Sequence, residues 1–181
     1  PEKPGYNMAG DAFKGNPEAA VKVIEFCDFQ DASCRKHALE VQPAIDESFV
    51  EPGKVLWLFK NLPSHSNAQA AIAAAAAECA GEQEQFWAMH QAIFAGVDQW
   101  AVDDPVPGLV AIAGEVGLDT EAFATCLDGR AAMEQVVADL SDAIGLGAGS
   151  PVLAVLHSGG LQGYPMTVSV DELTGILAGL V

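Results

Sequence analysis

The stretch FCDFQDASCRKH, from Phe26 to His37, decides the fold. The β-branched and aromatic residues that lead into it predict a strand. Asp31 then lies where the N-cap of a helix belongs, because its carboxylate can accept hydrogen bonds from the free N–H groups of the first helical turn. The stretch therefore predicts a strand that passes into the N-terminus of a helix, with Cys27 and Cys34 on either side of the junction.

The elements predicted outward from this junction follow the order βαβ, a helical block and ββα. The second strand, KVLWLFKNLP, is apolar on both faces and is expected to be buried in a sheet. We expect Pro43 to kink the first helix, because proline removes a helical hydrogen bond. The predicted elements are a helix from Asp31 through Ile45, a strand within 54–63, helices from Ser66 to about Leu146, a hairpin that turns at 158–160, and a final helix with a capping box at Ser169 and Glu172.

The charge balance excludes some classes of partner. The 181 residues carry 8 basic and 25 acidic side chains, a net charge of −17. Nucleic-acid binding needs a basic footprint, so we expect no nucleic-acid partner. The most apolar run, Ala68 to Gly81, is too short to span a bilayer and contains Glu78, which predicts no membrane insertion of this chain. The segment Pro1 to Lys14 is polar and irregular and shows no signal peptide.

Four cysteines are present: Cys27, Cys34, Cys79 and Cys126. Four cysteines allow three complete pairings, and the sequence alone does not choose between them. An even number of cysteines fits an oxidising compartment.

Four further stretches carry a resemblance to a known family. They are GNPEAAVKVIEFCDFQ (15–30), the long run from Phe59 to Ala95 that contains FWAMH, FATCLDG (123–129) and GSPVLAV (149–155). In this order, together with DASCRKH (31–37), they resemble the DsbA-like branch of the thioredoxin fold. The resemblance covers about Gly15 to Val181.

The resemblance implies an α/β thioredoxin fold, in which a central mixed sheet carries an inserted helical domain. The expected parts are an N-terminal arm (1–14), the first half of the thioredoxin fold (15–65), a helical insertion (66–146) and the second half of the thioredoxin fold (147–181). The family implies thiol–disulfide oxidoreductase ancestry, no cofactor, and an extracytoplasmic location that is periplasmic, envelope-attached or secreted.

The main departure from the family is Asp31, which stands where the family has its attacking cysteine. The family's chemistry needs a thiolate at a helix N-terminus, and a carboxylate oxygen does not exchange with disulfides. We interpret Asp31 as a structural N-cap, with a catalytic carboxylate as the alternative. Cys34 matches the resolving cysteine, and Glu25 matches a buried acid that passes protons to that cysteine.

Cys27 offers an alternative thiol. It shares a strand face with Glu25, because residues two apart on a strand point to the same side, and the helix of Cys34 should pack on that face. A Cys27–Cys34 disulfide, which would be a relocated redox pair, is one hypothesis. Two free buried thiols are the other, because a disulfide tolerates only short separations between Cα atoms.

The resemblance implies two further features. Cys79 and Cys126 lie on separate helices of the insertion, where family members often carry cysteines, and we predict that they form a disulfide; two buried thiols are the alternative. Ser150 and Pro151 match the loop whose proline is cis in this fold. We therefore predict a cis Pro151, beside a groove in which a polypeptide or partner protein binds by backbone pairing.

Four residues that recur every three positions suggest a metal site: Asp28, Asp31, Cys34 and His37. Zinc needs about four such ligands in a tetrahedral array. We expect His37 on a solvent face instead, and predict no metal.

The leading functional hypothesis is a DsbA-like protein that binds polypeptides or a partner protein and lacks ordinary dithiol exchange. The alternative is an atypical thiol–disulfide oxidoreductase that uses Cys34 with Cys27. A metal-binding module is the second alternative.

Overall fold

A five-stranded mixed sheet forms the centre of the protein, in a computed structural model that describes residues 5–67 and 69–181. The strand order is β1-β3-β2-β4-β5. β2 and β3 are parallel, and the other neighbouring strands are antiparallel. The strands are β1 (Phe13–Gly15), β2 (Val21–Cys27), β3 (Val55–Asn61), β4 (Val152–His157) and β5 (Gly160–Pro165). This is the α/β thioredoxin fold predicted from the sequence.

The two central strands supply much of the core. Every residue of β3 is buried, as the apolar run on both of its faces predicted. Its register with β2 places Trp57 opposite Val23 and Phe59 opposite Glu25. Parallel strands need a crossover connection, and the chain from 32 to 50 provides it as a helix.

The crossover helix is irregular. It consists of α1 (Ala32–Lys36), a π-helical stretch (His37–Val41), α2 (Gln42–Ile45) and a second π-helical stretch (Asp46–Val50). Pro43 lies in the first turn of α2, directly after the first π-helical stretch. Proline has no N–H for the helical ladder, and the short helix α2 that contains Pro43 is flanked on both sides by π-helical stretches.

The insertion between β3 and β4 is helical, as the sequence predicted. α3 packs against α4, α7 and α8, and the closing helix α9 packs against α2. In the described part of the chain, no helix combines the length and the apolar character needed to cross a bilayer. The helices are α3 (Ala70–Gly81), α4 (Phe86–Ala95), α5 (Val97–Trp100), α6 (Val106–Glu115), α7 (Thr120–Asp128), α8 (Ala131–Gly145) and α9 (Val170–Ala178).

The N-terminal segment differs from its sequence prediction. Residues 1–4 of the predicted arm, and Ala68 in the predicted first insertion helix, lie outside the described residues. Residues 13–15 form β1 and pair antiparallel with β3, although the segment up to Lys14 was expected to be irregular. The strand was not predicted because three residues are too few to show a strand's alternation. Its structure depends on pairing with β3.

Lys60, at the end of β3, joins the insertion to the sheet. Its buried ammonium lies 2.6 Å from Asp11 Oδ1, 3.3 Å from Asp139 Oδ1 and 2.7 Å from Asp142 Oδ2. Asp139 also accepts hydrogen bonds from the backbone and side chain of Asn61. Burial raises the pKa of the Asp139 carboxyl, and the hydrogen bonds from Asn61 and the charge of Lys60 oppose this shift.

Candidate functional site

The loop between β2 and α1 is fixed by Asp28. One of its carboxylate oxygens accepts from the backbone N–H of Gln30 at 2.7 Å. The other accepts from the backbone N–H of Ser64 at 2.8 Å and from Asn67 Nδ2 at 2.7 Å. A buried carboxylate is stable only when it is hydrogen-bonded, and these bonds tie the loop to the segment after β3. From the sequence, Asp28 was expected only as a possible metal ligand, and no local pattern indicated this role.

Asp31 is the N-cap of α1. Its Oδ1 accepts from the backbone N–H of Ser33 at 2.8 Å and of Cys34 at 3.0 Å. Asp31 itself has an extended backbone, as an N-cap residue should. An anion therefore occupies the helix N-terminus, where the free N–H groups favour negative charge, but it is a carboxylate and not a sulfur nucleophile.

Cys27 and Cys34 are joined by a disulfide with a Cα–Cα separation of 5.8 Å. The bond ties the last residue of β2 to the first turn of α1. Of the two states that the sequence left open, the structure contains the bonded one. Cys27 is 1% exposed and Cys34 is 0% exposed, so the bond lies beneath the surface. A thiolate from another protein has no direct path to either sulfur.

Glu25 lies two residues before Cys27 on the same strand. It is fully buried, and its Oε2 accepts from Trp57 Nε1 at 2.9 Å. Burial raises the pKa of the Glu25 carboxyl, because the charged form loses its hydration. The neighbouring His37 and the Trp57 hydrogen bond oppose that shift.

His37 corrects a prediction. It was expected on a solvent face, but it is 0% exposed and its ring stacks on Trp57 with centroids 5.8 Å apart. Its Nε2 lies 3.1 Å from Gln42 Oε1. His37 follows the buried Cys34 by three residues, so the ordinary spacing of α1 places both side chains on the same inward face.

Ser150 and Pro151 lie at the same end of the sheet. β4 pairs antiparallel with β2, and its first residue, Val152, lies opposite Phe26. Pro151 therefore precedes β4 at the edge where β2 ends in Cys27. The predicted cis bond is wrong for this structure, since no cis peptide bond occurs among residues 5–67 and 69–181. The trans form is the one that an X–Pro amide favours intrinsically, by about 0.5–1 kcal/mol.

A cavity of about 290 Å³ opens beside α1. The crossover helix forms one wall through Ser33, Lys36 and His37, and the segment from Met166 to Val170, which leads into α9, forms the other. Any change in the position of α1 therefore changes the shape of this cavity.

The proposed metal ligands do not assemble. Cys34 is in a disulfide, and the Asp28 and Asp31 carboxylates accept hydrogen bonds from the backbone. In the part of the chain that the structure describes, no group of three or more His, Cys, Asp and Glu side chains could hold a metal ion.

The second disulfide joins Cys79 of α3 to Cys126 of α7, with a Cα–Cα separation of 5.7 Å. It lies within the helical insertion and links two of its helices. All four cysteines are therefore paired.

Comparisons with known proteins agree with this architecture. The family model described as thioredoxin matches residues 8–149. A probable disulfide bond formation protein D of Bacillus cereus is 30% identical over 133 residues, which are 69% of this chain and 60% of that protein. A Na⁺/H⁺ antiporter, NhaA 3 of Salinispora tropica, is 33% identical over 141 residues, 75% of this chain. The match covers only 20% of that antiporter's length, so its transport activity is not assigned to this chain.

Solved structures share the fold over nearly the whole chain. DsbA1 of the alpha type from Wolbachia pipientis superposes with a TM-score of 0.82 at 24% identity, covering 97% of this chain and 92% of that one. Oxidised BdbD from Bacillus subtilis superposes with a TM-score of 0.80 at 22% identity, covering 97% and 95%.

Proposed function

This chain belongs to the DsbA-like thioredoxin family, and from that premise we propose that it binds polypeptides without performing ordinary dithiol exchange. One observation carries the proposal: at the start of α1, the position of an attacking thiolate holds the Asp31 carboxylate, which accepts two backbone hydrogen bonds. Exchange begins with a thiolate that attacks an accessible sulfur. The sulfurs at this site are buried in the Cys27–Cys34 bond.

The polypeptide binds beside Ser150 and Pro151, at the end of the sheet where β2 stops and β4 begins. Ser150 is exposed, and the chain here leads into β4. Backbone groups just before a strand can pair with an extended peptide, and this pairing does not depend on the peptide's sequence. The net charge of −17 favours polypeptides that are neutral or basic.

Binding is tested with a fluorescently labelled, fully carboxamidomethylated unfolded protein of basic charge, followed by fluorescence anisotropy. We expect Ser150→Trp to weaken binding by roughly tenfold or more, because the indole fills the backbone-pairing surface. Ser158→Trp is the matched control, since Ser158 is an exposed serine in the turn at the other end of β4. Equal affinities for the two variants would overturn this location.

A second function is favoured by the Cys27–Cys34 bond itself. The bond begins two residues after the buried acid Glu25 on β2, an arrangement that suits a thiol–disulfide oxidoreductase whose attacking cysteine has moved four positions, from 31 to Cys27. Because both sulfurs are buried, such an enzyme requires the first turn of α1 to open before each exchange.

Insulin reduction by dithiothreitol distinguishes the two functions. We expect the wild-type protein to leave the uncatalysed rate unchanged. The double variant Cys27→Ser/Asp31→Cys places two cysteines three positions apart at the start of α1 and should accelerate the reaction at least about tenfold, because a thiolate at a helix N-terminus is stabilised. Cys27→Ser alone is the control, since it has one thiol at the site. A wild-type protein as fast as the double variant would favour the second function.

We further propose that the protein works outside the cytoplasm. Its two disulfides support this location, because structural disulfides persist mainly in oxidising compartments.

A further inference from the structure

A layer of three fully buried side chains is formed by residues that neighbour the Cys27–Cys34 bond along the chain and by a strand partner. Glu25 is two residues before Cys27 on β2, and His37 is one helical turn after Cys34. Trp57 connects the two, because its Nε1 donates to Glu25 Oε2 at 2.9 Å while its ring stacks on His37 at an interplanar angle of 16°. All three side chains are 0% exposed.

The hydrogen bonds around His37 fix which of its ring nitrogens is available. Gln42 Nε2 donates to Asp46 Oδ1 at 2.8 Å, so the Gln42 oxygen is the atom that faces the ring. An amide oxygen only accepts, and His37 Nε2 therefore donates to it. His37 Nδ1 is left as an acceptor. It is buried and has no hydrogen-bond partner in the described residues, and the same holds for Glu25 Oε1.

Glu25 and His37 can share one proton without leaving a net charge in the core. A neutral carboxyl beside a neutral imidazole and a carboxylate beside an imidazolium both sum to zero. An isolated charge at this depth would lose its hydration without compensation. The open His37 Nδ1 can therefore take up a proton from a neighbouring group, provided that the resulting anion remains close.

We propose that His37 is the proton acceptor for the Cys34 thiol whenever the Cys27–Cys34 bond is absent. The Sγ–H bond breaks, its electron pair stays on sulfur, and the proton forms a bond with His37 Nδ1. The products are a thiolate and an imidazolium one helical turn apart. The Glu25 carboxylate and the Cys34 thiolate are both anions that the imidazolium can stabilise, so the two compete for its charge. His37 thus acts on the reactive sulfur through its charge.

Other charged groups face this layer. The Asp31 carboxylate at the start of α1 opposes a thiolate on Cys34, whereas the helix N-terminus favours it. Lys14 and Asp46, on the far side of Gln42, form an ion pair at 2.6 Å and largely cancel each other. Burial holds the pKa of the neighbouring His90 well below its usual range, so that imidazole is uncharged. His37 and Glu25 are therefore the charges that remain to set the state of Cys34.

This inference rests on the second of the two functions proposed above, and deepens it by assigning the residue that would activate the buried sulfur. Its test does not require turnover. Cys27→Ser removes the disulfide while the Cys79–Cys126 bond stays intact, so Cys34 becomes the single free thiol of the protein.

The experiment is a titration of the Cys34 thiolate by its absorbance near 240 nm in the Cys27→Ser protein. We expect adding His37→Phe, which keeps an aromatic ring against Trp57, to raise the pH at which the thiolate forms by about one unit or more. Adding Glu25→Gln should lower it, because the competing carboxylate is gone. His157→Phe, in the β4–β5 hairpin, is the matched control and should leave it unchanged. A midpoint that does not respond to His37→Phe overturns the proposal.

A second measurement needs no change at His37, in case its substitution prevents folding. In the Cys27→Ser protein, the ¹⁵N shifts of the His37 imidazole should report protonation over the same pH range in which the thiolate forms. An imidazole that titrates independently of Cys34 contradicts the proposal. If the coupling is present but the wild-type protein does not reduce insulin, the oxidoreductase function fails and the assignment of His37 stands.

Discussion

At the scale of single residues, Asp31 contributes to stability through the two N–H groups that it caps. Replacing it by alanine leaves both donors without their acceptor, and we expect the free energy of unfolding to fall by about 1 kcal/mol. Urea denaturation followed by circular dichroism measures this change. Asp31→Asn keeps an oxygen acceptor and should lose only a few tenths of that amount. If the alanine and asparagine variants are equally stable, Asp31 is not acting as a cap.

The buried carboxyl of Glu25 predicts a dependence of stability on pH. Its pKa is raised in the folded protein by burial, so the folded state keeps the proton at pH values where the unfolded state has released it. Stability from this group is fully present below the pKa of an unfolded glutamate, about 4.3, and is lost as the pH rises towards the folded value.

Glu25→Gln removes this loss, because an amide does not ionise and its oxygen still accepts from Trp57 Nε1. We therefore expect the variant to gain stability relative to the wild type between about pH 4.5 and pH 8. Denaturation at these two pH values measures the gain. Glu172→Gln, at an exposed helix start, is the control that should show no such gain. Curves that stay parallel for Glu25→Gln and the wild type would contradict the expected ionisation.

The residues of the site differed in how far the sequence could predict them. Asp31 was predictable as a cap because capping depends on local backbone geometry alone. The relation between Cys27 and Glu25 followed from strand alternation. The burial of His37 was missed because histidine is only intermediate in its tendency to be buried, although its spacing of three residues from Cys34 places both on one helix face. The peptide bond before Pro151 is trans and not cis as predicted. The energy gap between the two isomers is small, so tertiary contacts determine which one forms.

At the scale of helices and strands, the Cys79–Cys126 bond stabilises the insertion. It closes a loop of 47 residues between α3 and α7. Replacing both cysteines by alanine should lower the free energy of unfolding by about 2–4 kcal/mol, mainly because the unfolded chain is no longer restricted. The double variant avoids a single unpaired thiol and is compared with the wild type by thermal unfolding. Hydrogen exchange should increase in α7 before it increases in β3.

Removing the other disulfide shows whether the loss of stability depends on the length of the loop that is closed or is a general cost of losing two cysteines. Cys27→Ala/Cys34→Ala opens a loop of only seven residues, so the entropic contribution lost is smaller. Equal losses for the two pairs would mean that packing around the sulfurs, and not restriction of the unfolded chain, dominates.

Helices and strands also differed in how well they could be predicted. α4 shows a helical apolar stripe that can be recognised in the sequence, and β3 is a continuous apolar run. β1 carries neither signal. It is a strand because Lys14 and its neighbours pair with β3, which lies far along the chain. Long-range pairing of this kind is invisible to local patterns.

At the scale of the whole molecule, the excess of acidic side chains is a source of repulsion. The chain carries 25 acidic and 8 basic residues, and folding brings these charges closer together. Exposed charges are screened by salt over about 10 Å at 0.1 M, whereas buried pairs such as Lys60 with Asp11 are screened much less. Added salt should therefore reduce the repulsion and leave the buried ion pairs in place.

We expect the melting temperature to rise by a few degrees as sodium chloride increases from about 10 mM to 300 mM, because screening acts mainly on the surface charges. Differential scanning calorimetry at constant pH measures this shift. The variant Asp103→Asn/Glu115→Gln/Asp128→Asn removes three exposed negative charges and should flatten the dependence. A wild-type melting temperature that falls over this range would show that screening costs the protein more in ion pairs than it relieves in repulsion, and that the acidic surface is not what limits its stability.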